Sequence, residues 1–224
     1  MKNTIIIFSL INLLSLNIYS QSFDKLKKLE SFGSELYYVP TKTELINKQV
    51  ESEAYEVYFL VKTSLNNTAA KYAIYFDDGP SSDPGFTIYE ISGKTENQII
   101  RLDGSILILP GNGYIYTRGR NNENYTKTRK YQFANNTFTE VKQAAYYVGV
   151  KSKTATDIIL LSNFNKTASV VAQIPKGYEV EILANIDTWY LVKTQFGLLG
   201  WVEITPEQCY PQGSVIEDIY FAGD

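Results

Sequence analysis

The chain has no histidine, one cysteine and one methionine in 224 residues. Each scarcity removes a class of chemistry. Without His there is no Ser–His–Asp triad, no Cys–His pair and none of the usual zinc ligand sets. The lone Cys209 forms no internal disulfide, and its surroundings, "TPEQCYPQG", hold no base to activate a thiol, so it reads as a small buried hydrophobe. Stability must then come from burial rather than cross-links. No glycine-rich phosphate loop occurs, because "GNGYIYTRG" (111–119) reads as strand and turn rather than a strand-to-helix junction. Positive charge is not in excess: 21 basic against 24 acidic side chains give a net charge of −3. That balance excludes the basic footprint of a nucleic-acid or anionic-membrane binder. No cofactor, resident metal or catalytic residue is expected.

Long apolar runs are also scarce. The exception is "TIIIFSLINLLSL" (4–16), behind Lys2 and too short to span a bilayer, followed by "NIYSQ" with the small Ser20 before Gln21. Residues 1–20 read as an export signal, with a membrane anchor as the alternative. No Cys follows to carry a lipid. Cleavage removes one base, Lys2, and no acid, leaving 20 basic and 24 acidic side chains. The expected location is periplasmic or extracellular, with no membrane span after cleavage.

Strand-forming residues are plentiful. Thirteen of the eighteen tyrosines lie between residues 37 and 147, where an apolar ring with a polar tip suits a half-buried pleated surface. "FDKLKKLES" (23–31) spaces Phe23, Leu26, Leu29 and then Phe32 by three, predicting one short helix closed by Gly33. Beyond it, "AYEVYFLVKT" (54–63), "AKYAIYFDD" (70–78), "FTIYEIS" (86–92), "NQIIRL" (97–102) and their successors to residue 150 read as strands. Asp103-Gly104, Gly111-Asn112-Gly113 and Asn135-Asn136 are turn signals. Connections this short predict an antiparallel meander and no parallel pairing. In 54–63, Tyr55, Val57, Phe59 and Val61 are expected on one face, with Tyr58 and Leu60 on the other.

Three features of this region carry candidate chemistry. Asp77, Asp78, Asp83 and Glu90 are the carboxylates from which a His-free glycoside hydrolase would draw its pair. The acidic loop at 77–83 is either a calcium-holding loop or a solvated turn. "TRGRNNENYTKTRK" (117–130) gathers Arg118, Arg120 and Arg129 around a polar turn, as an anion-binding fork or as a hairpin guarding an edge strand.

After "SKTAT" (152–156) the rhythm changes to four or five short strands with tight turns, the size of a small barrel. "VVAQIPKGYEVEIL" followed by "DTWYLVKTQFGLLGWV" resembles the bacterial SH3-like domain. The ordered elements are a Val-Val strand into Pro175-Lys176-Gly177, the alternating "YEVEIL", Trp189-Tyr190-x-Val192, and Gly200-Trp201-Val202. Family members usually open with a Leu-Asn-Val-Arg-Ser-Gly-Pro type of segment. Here "IILLSNF" (158–164) keeps Ser162, puts Leu161 at the Arg position and Asn163-Phe164 at Gly-Pro, so ligand contacts from that loop do not transfer. The resemblance implies recognition of cell-wall peptide or glycan, or docking to a partner protein. Wall peptidases carrying such domains generally use a Cys–His pair, which this chain lacks.

The two tryptophans divide, Trp189 by alternation and Trp201 by its place between Gly200 and Val202 in the closing strand. Trp189, Leu191 and Lys193 point one way, Tyr190 and Val192 the other; Val192 and Val202 are core candidates. Trp189 is expected on an open platform and Trp201 in the structural interior beside Gly200. Trp189, Tyr190, Phe196 and Tyr178 form the candidate ligand set. "SVIEDIYFAGD" (214–224) is too apolar for a free tail and is expected to pack back on the body. The expected architecture is mainly β: a signal at 1–20, an antiparallel β-rich domain of barrel or sandwich type at 21–150, an SH3-like barrel at 151–205 and a packed extension at 206–224. The expected function is that of a non-catalytic envelope binding protein, with a structural or interaction subunit as the alternative.

Overall fold

In the computed structural model, residues 25–53, 55–66, 68–210 and 213–223 are described; the signal segment 1–20 and Phe23 lie outside them. The chain is mainly β, in three sheets. Helical structure among the described residues is confined to short 3-10 turns such as Pro40–Lys42, Pro80–Ser82 and Pro206–Cys209. No helix among them is long and apolar enough to cross a membrane.

The expected N-terminal helix is instead a hairpin. β1 (Lys27–Ser31) pairs antiparallel with β2 (Ser34–Tyr38), and the two-residue turn Phe32-Gly33 has φ of 53° and 80°. Two successive positive φ values define the turn that matches strand twist, with Gly33 supplying the second without steric cost. A left-handed glycine ends helices and closes hairpins alike. The choice is made by pairing: Leu36 and Tyr38 of β2 are buried in the core, and Phe32 stacks on Tyr58 at 3.7 Å.

β2 then pairs parallel with β8 (Ile106–Leu109), which correcting finding overrides the expectation of antiparallel pairing throughout. The crossover between them is no helix but an entire five-stranded meander. It comprises β3 (Thr43–Val50), β4 (Val57–Thr63), β5 (Tyr72–Asp77), β6 (Gly85–Ser92) and β7 (Thr95–Asp103). The first sheet continues through β9 (Tyr114–Gly119), β10 (Lys127–Ala134) and β11 (Thr137–Glu140), in the order β1-β2-β8-β9-β10-β11. The Asn135-Asn136 turn joins β10 to β11 with φ of 51° and 58°. Meander and first sheet share one core, in which Leu60, Ile74, Phe76, Phe86 and Ile88 meet Leu36, Leu107, Ile115 and Phe133. Both faces of β4 are covered, with Tyr58, Phe59, Leu60 and Val61 all buried, but a register shift between Phe59 and Val61 pairs them with the adjacent Tyr75 and Ile74, so the two do not share the expected face.

The third sheet has the order β12-β15-β16-β17-β13-β14, from β12 (Tyr146–Lys153), β13 (Ile158–Leu161), β14 (Val170–Ile174), β15 (Glu179–Ile186), β16 (Trp189–Thr194) and β17 (Leu199–Glu203). None of the three sheets closes on itself; here β12 and β14 remain separate edges. Its inner face has its own core of Ile158, Leu160, Val180, Ile182, Tyr190, Val192 and Val202. Three elements outside 151–205 complete that core. They are Tyr125 from the β9–β10 connection, Val148 of β12, and Val215, Ile216 and Ile219 of the C-terminal segment. A boundary at 150/151 therefore cuts through β12.

Close approach explains one glycine directly. A Cβ on Gly200 meets Leu160 Cβ at 2.6 Å, where β17 lies against β13. Gly200→Ala is expected to cost about 1–3 kcal/mol as an overpacking substitution, read as a lower urea midpoint with an unchanged m-value.

Candidate functional site

The sequence-predicted ligand residues do not converge. Tyr190 is 2% exposed, inside the second core, where its hydroxyl accepts from Asn124 Nδ2 at 3.1 Å. It is corrected from ligand candidate to core residue. Burial pushes its phenol up to about 12, partly offset by the Asn124 hydrogen bond. Tyr178 and Phe196 lie together at the far end of β15 and β16, with ring centroids 6.5 Å apart, and Phe196 is 84% exposed. Trp189 begins β16 and so lies seven residues from Phe196, at the strand's other end.

Register places Trp189 and Trp201 on the same outer face, correcting the expected division between them. Leu191 pairs with Trp201 and Trp189 with Glu203, and antiparallel partners point to one side. Neither tryptophan belongs to a buried core; both are half-buried. Val202, on the inner side, is buried as expected. Trp201 packs edge-on against Phe164 of the β13–β14 loop at 5.4 Å, and Lys166 of that loop binds Glu203 at 2.9 Å.

Following the register sideways exposes a feature absent from any single strand. Tyr147 pairs with Ala184, Ala184 with Leu191, Leu191 with Trp201, Trp201 with Leu161, and Leu161 with Val170. Every strand of the sheet contributes one apolar residue to this row. It stays open to solvent at its ends, where Tyr147 is 75% and Val170 57% exposed. On one side runs a row of Ile186, Trp189 and Glu203. On the other runs Lys151, Glu181 and Lys193, with Lys193 bound to Glu181 at 3.0 Å. An uninterrupted aromatic and aliphatic row, widened on one side by Ile186 and Trp189 and bounded on the other by charged residues, has the character of an interaction surface rather than scattered exposed side chains. Sequence reasoning missed it because pairing across five strand contacts is not written in any local stretch. The available signal was that "IILL", "VVAQI" and "WYLV" are apolar at both alternating positions.

The three arginines proposed for anion binding also separate. Arg118 pairs with Thr128 and Arg129 with Thr117; these neighbouring positions point to opposite faces. Arg118 is exposed near Glu35, whose carboxyl is lowered mainly by Lys28 and Tyr37. Arg129 and Lys127 are both engaged by Glu123. Arg120 reaches the C-terminal segment, with its Nη2 donating to the carbonyls of Asn124, Asp218 and Tyr220. The residues between these arginines are thus no free hairpin tip: Tyr125 plugs the second core and its hydroxyl donates to Asn185 Oδ1 at 3.1 Å.

The acidic loop is organised by an internal cation. Asp77 is buried and takes Arg101 Nη2 at 2.9 Å, while the same guanidinium donates to Asp103 at 2.6 Å and to the Asp83 carbonyl at 2.8 Å. No cluster of three or more His, Cys, Asp or Glu among the described residues is arranged to hold a metal. Asp77 opposes Gly85 and Tyr72 opposes Glu90, which puts Asp77 and Glu90 at opposite ends of β5. Five strand residues separate them by about 17 Å, beyond the roughly 5–10 Å of a glycosidase pair. Glu90 accepts from Asn136. Cys209 is buried, receives a hydrogen bond from Asn124 Nδ2, and has its thiol pushed up by burial, the opposite of an activated nucleophile.

The fold and surface therefore define a mainly β protein of three open sheets, the third with an aromatic outer face. No family model, no curated protein and no solved structure matches the chain.

Proposed function

We propose that this chain is an exported, non-catalytic cell-envelope binding protein whose third sheet is an SH3-like unit presenting its outer face to wall peptide or glycan. The observation carrying this reading is the continuous apolar row across all six strands, flanked by Trp189 and backed by Phe164 on Trp201. The order of strands supports the SH3-like resemblance: β14 runs into Pro175-Lys176-Gly177, β15 carries the alternating segment, and Gly200-Trp201-Val202 lies in β17. Gly177 has φ of 80°, and its N–H donates to the Thr154 carbonyl at 2.7 Å, tying that turn to the residue that follows β12. Export rests on the sequence of residues 1–20.

The test uses purified cell wall and the double variant Trp189→Ala/Trp201→Ala. Retention on wall is expected to fall at least about tenfold, as for loss of central aromatic anchors, while the far-ultraviolet spectrum stays unchanged. Absence of wall retention by the unmodified protein sinks the reading.

A second reading, an interaction subunit docking through the same face, is favoured by the shared second core. Tyr125 and Ile216 fix the third sheet to the rest of the chain, as in a rigid subunit. Loss of a co-purifying envelope protein in the double variant, with wall retention unaffected, selects it.

A further inference from the structure

A separate cleft of about 500 Å³ opens where the acidic loop, the first sheet and the C-terminal segment meet. Its wall carries the hydroxyl-bearing Ser81, Ser82, Ser105 and Thr126, with Asp83 and Arg120 as its charged members. We propose that this cleft binds a carboxylated sugar, its carboxylate on Arg120 and its ring hydroxyls on the serine and threonine hydroxyls and Asp83. The site is independent of the outer face of the third sheet.

Arg120 is the anchor of the argument. Its three hydrogen bonds, at 3.1–3.4 Å, all leave through Nη2 and all end on uncharged carbonyls. The guanidinium stacks on Tyr220 at 4.2 Å, and its Nε–H is buried without a hydrogen-bond partner. The ion pairs among the described residues use Lys28, Arg101, Lys127, Arg129, Lys166 and Lys193, and not Arg120. Nη1 makes no hydrogen bond among the described residues, so this half-buried guanidinium keeps donors for an anion, and a single carboxylate oxygen is the acceptor they lack.

The remaining wall narrows the class. Asp83 lines the same cleft, which disfavours a dianion such as phosphate and favours a singly charged ligand with hydroxyls that donate to a carboxylate. The volume lies within the range of small-molecule sites and exceeds what a simple carboxylate fills. Ser81 and Ser82 stand at successive left-handed conformations, φ 58° and 62°, a strained arrangement that sets two hydroxyl-bearing residues side by side on the rim. Asn121 is fixed in the wall by its Nδ2 donating to the Pro84 carbonyl at 2.7 Å, so that side of the cleft is pre-formed.

The test is calorimetric titration of the full chain with D-glucuronate, D-glucose, acetate and inorganic phosphate. Glucuronate is expected to bind, with glucose and acetate each weaker by about tenfold or more, as each keeps only half of the contacts. Arg120→Gln is expected to weaken glucuronate by about tenfold and to leave glucose unchanged. Because Arg120 also holds the C-terminal segment, Thr126→Val and Asp83→Asn provide the second measurement. Each is expected to weaken glucuronate by roughly three- to tenfold with an unchanged melting temperature. Trp189→Ala/Trp201→Ala is expected to leave this binding intact. The proposal is overturned if glucose binds as well as glucuronate, if phosphate binds tighter, if Thr126→Val and Asp83→Asn both bind normally, or if glucuronate does not bind.

Discussion

Tyr125→Ala is expected to destabilise the third sheet by about 3–5 kcal/mol, the range for removing a fully buried aromatic side chain. Tyr125 is 2% exposed and comes from the first sheet's β9–β10 connection, yet its ring meets Tyr190 edge-on at 6.2 Å within the second core. The cavity left behind lies between two bodies of structure, where neither sheet can collapse into it without giving up its own register. Tyr125→Phe keeps the ring and loses only the hydrogen bond to Asn185, a loss of about 1 kcal/mol. The measurement is convenient, because both tryptophans of the chain belong to the third sheet. Urea unfolding followed by tryptophan fluorescence therefore reports that sheet alone. A loss of under about 1 kcal/mol for the alanine variant contradicts the role of Tyr125 as the plug joining the two cores.

What was legible in the sequence was what a short stretch decides. The β class, the Asn135-Asn136 turn and the inward Val192 and Val202 follow from composition, turn chemistry or alternation. The hidden features depend on long-range pairing. "FDKLKKLES" carries a three-residue spacing, but β1 is a strand because β2 offers it a partner and β2 in turn pairs with β8, some seventy residues on. Connections too short for a crossover helix argue against a parallel contact, yet a whole meander serves as the crossover. Tyr125 sits among Asn, Glu, Thr and Lys, a local context that predicts exposure; its burial is imposed by a sheet that follows it in the chain. The candidate ligand set failed for a related reason. Its four aromatics are close in sequence, but alternation buries Tyr190 and the length of β16 parts Trp189 from Phe196. The register also reunites Trp189 with Trp201, which the expectation of an interior Trp201 beside Gly200 separates.

Tyr190 decides between a core and a ligand role with the largest contrast. Tyr190→Ala is expected to cost about 3–5 kcal/mol, since the ring is 2% exposed and packs with Val192, Val202 and Tyr125. Tyr190→Phe is expected to cost about 1–2 kcal/mol, because it leaves the amide of Asn124 with only Cys209 Sγ at 3.1 Å as an acceptor, a weak one. Neither variant is expected to change wall retention once the folded fraction is matched, whereas a ligand residue shows the reverse pattern. The pH dependence gives a second readout. Burial holds the folded phenol at about 12, against an unfolded value near 10. Between those two pH values the unfolded chain has released the proton and the folded chain retains it. The stability due to this group is therefore complete below pH 10 and is lost as pH rises through 12, at up to about 1.4 kcal/mol per pH unit. Tyr190→Phe removes that proton from the balance, so the decline of its urea midpoint from pH 10 to 12 should be shallower than in the unmodified protein. Equal slopes in the two proteins place the phenol in water and return Tyr190 to the surface.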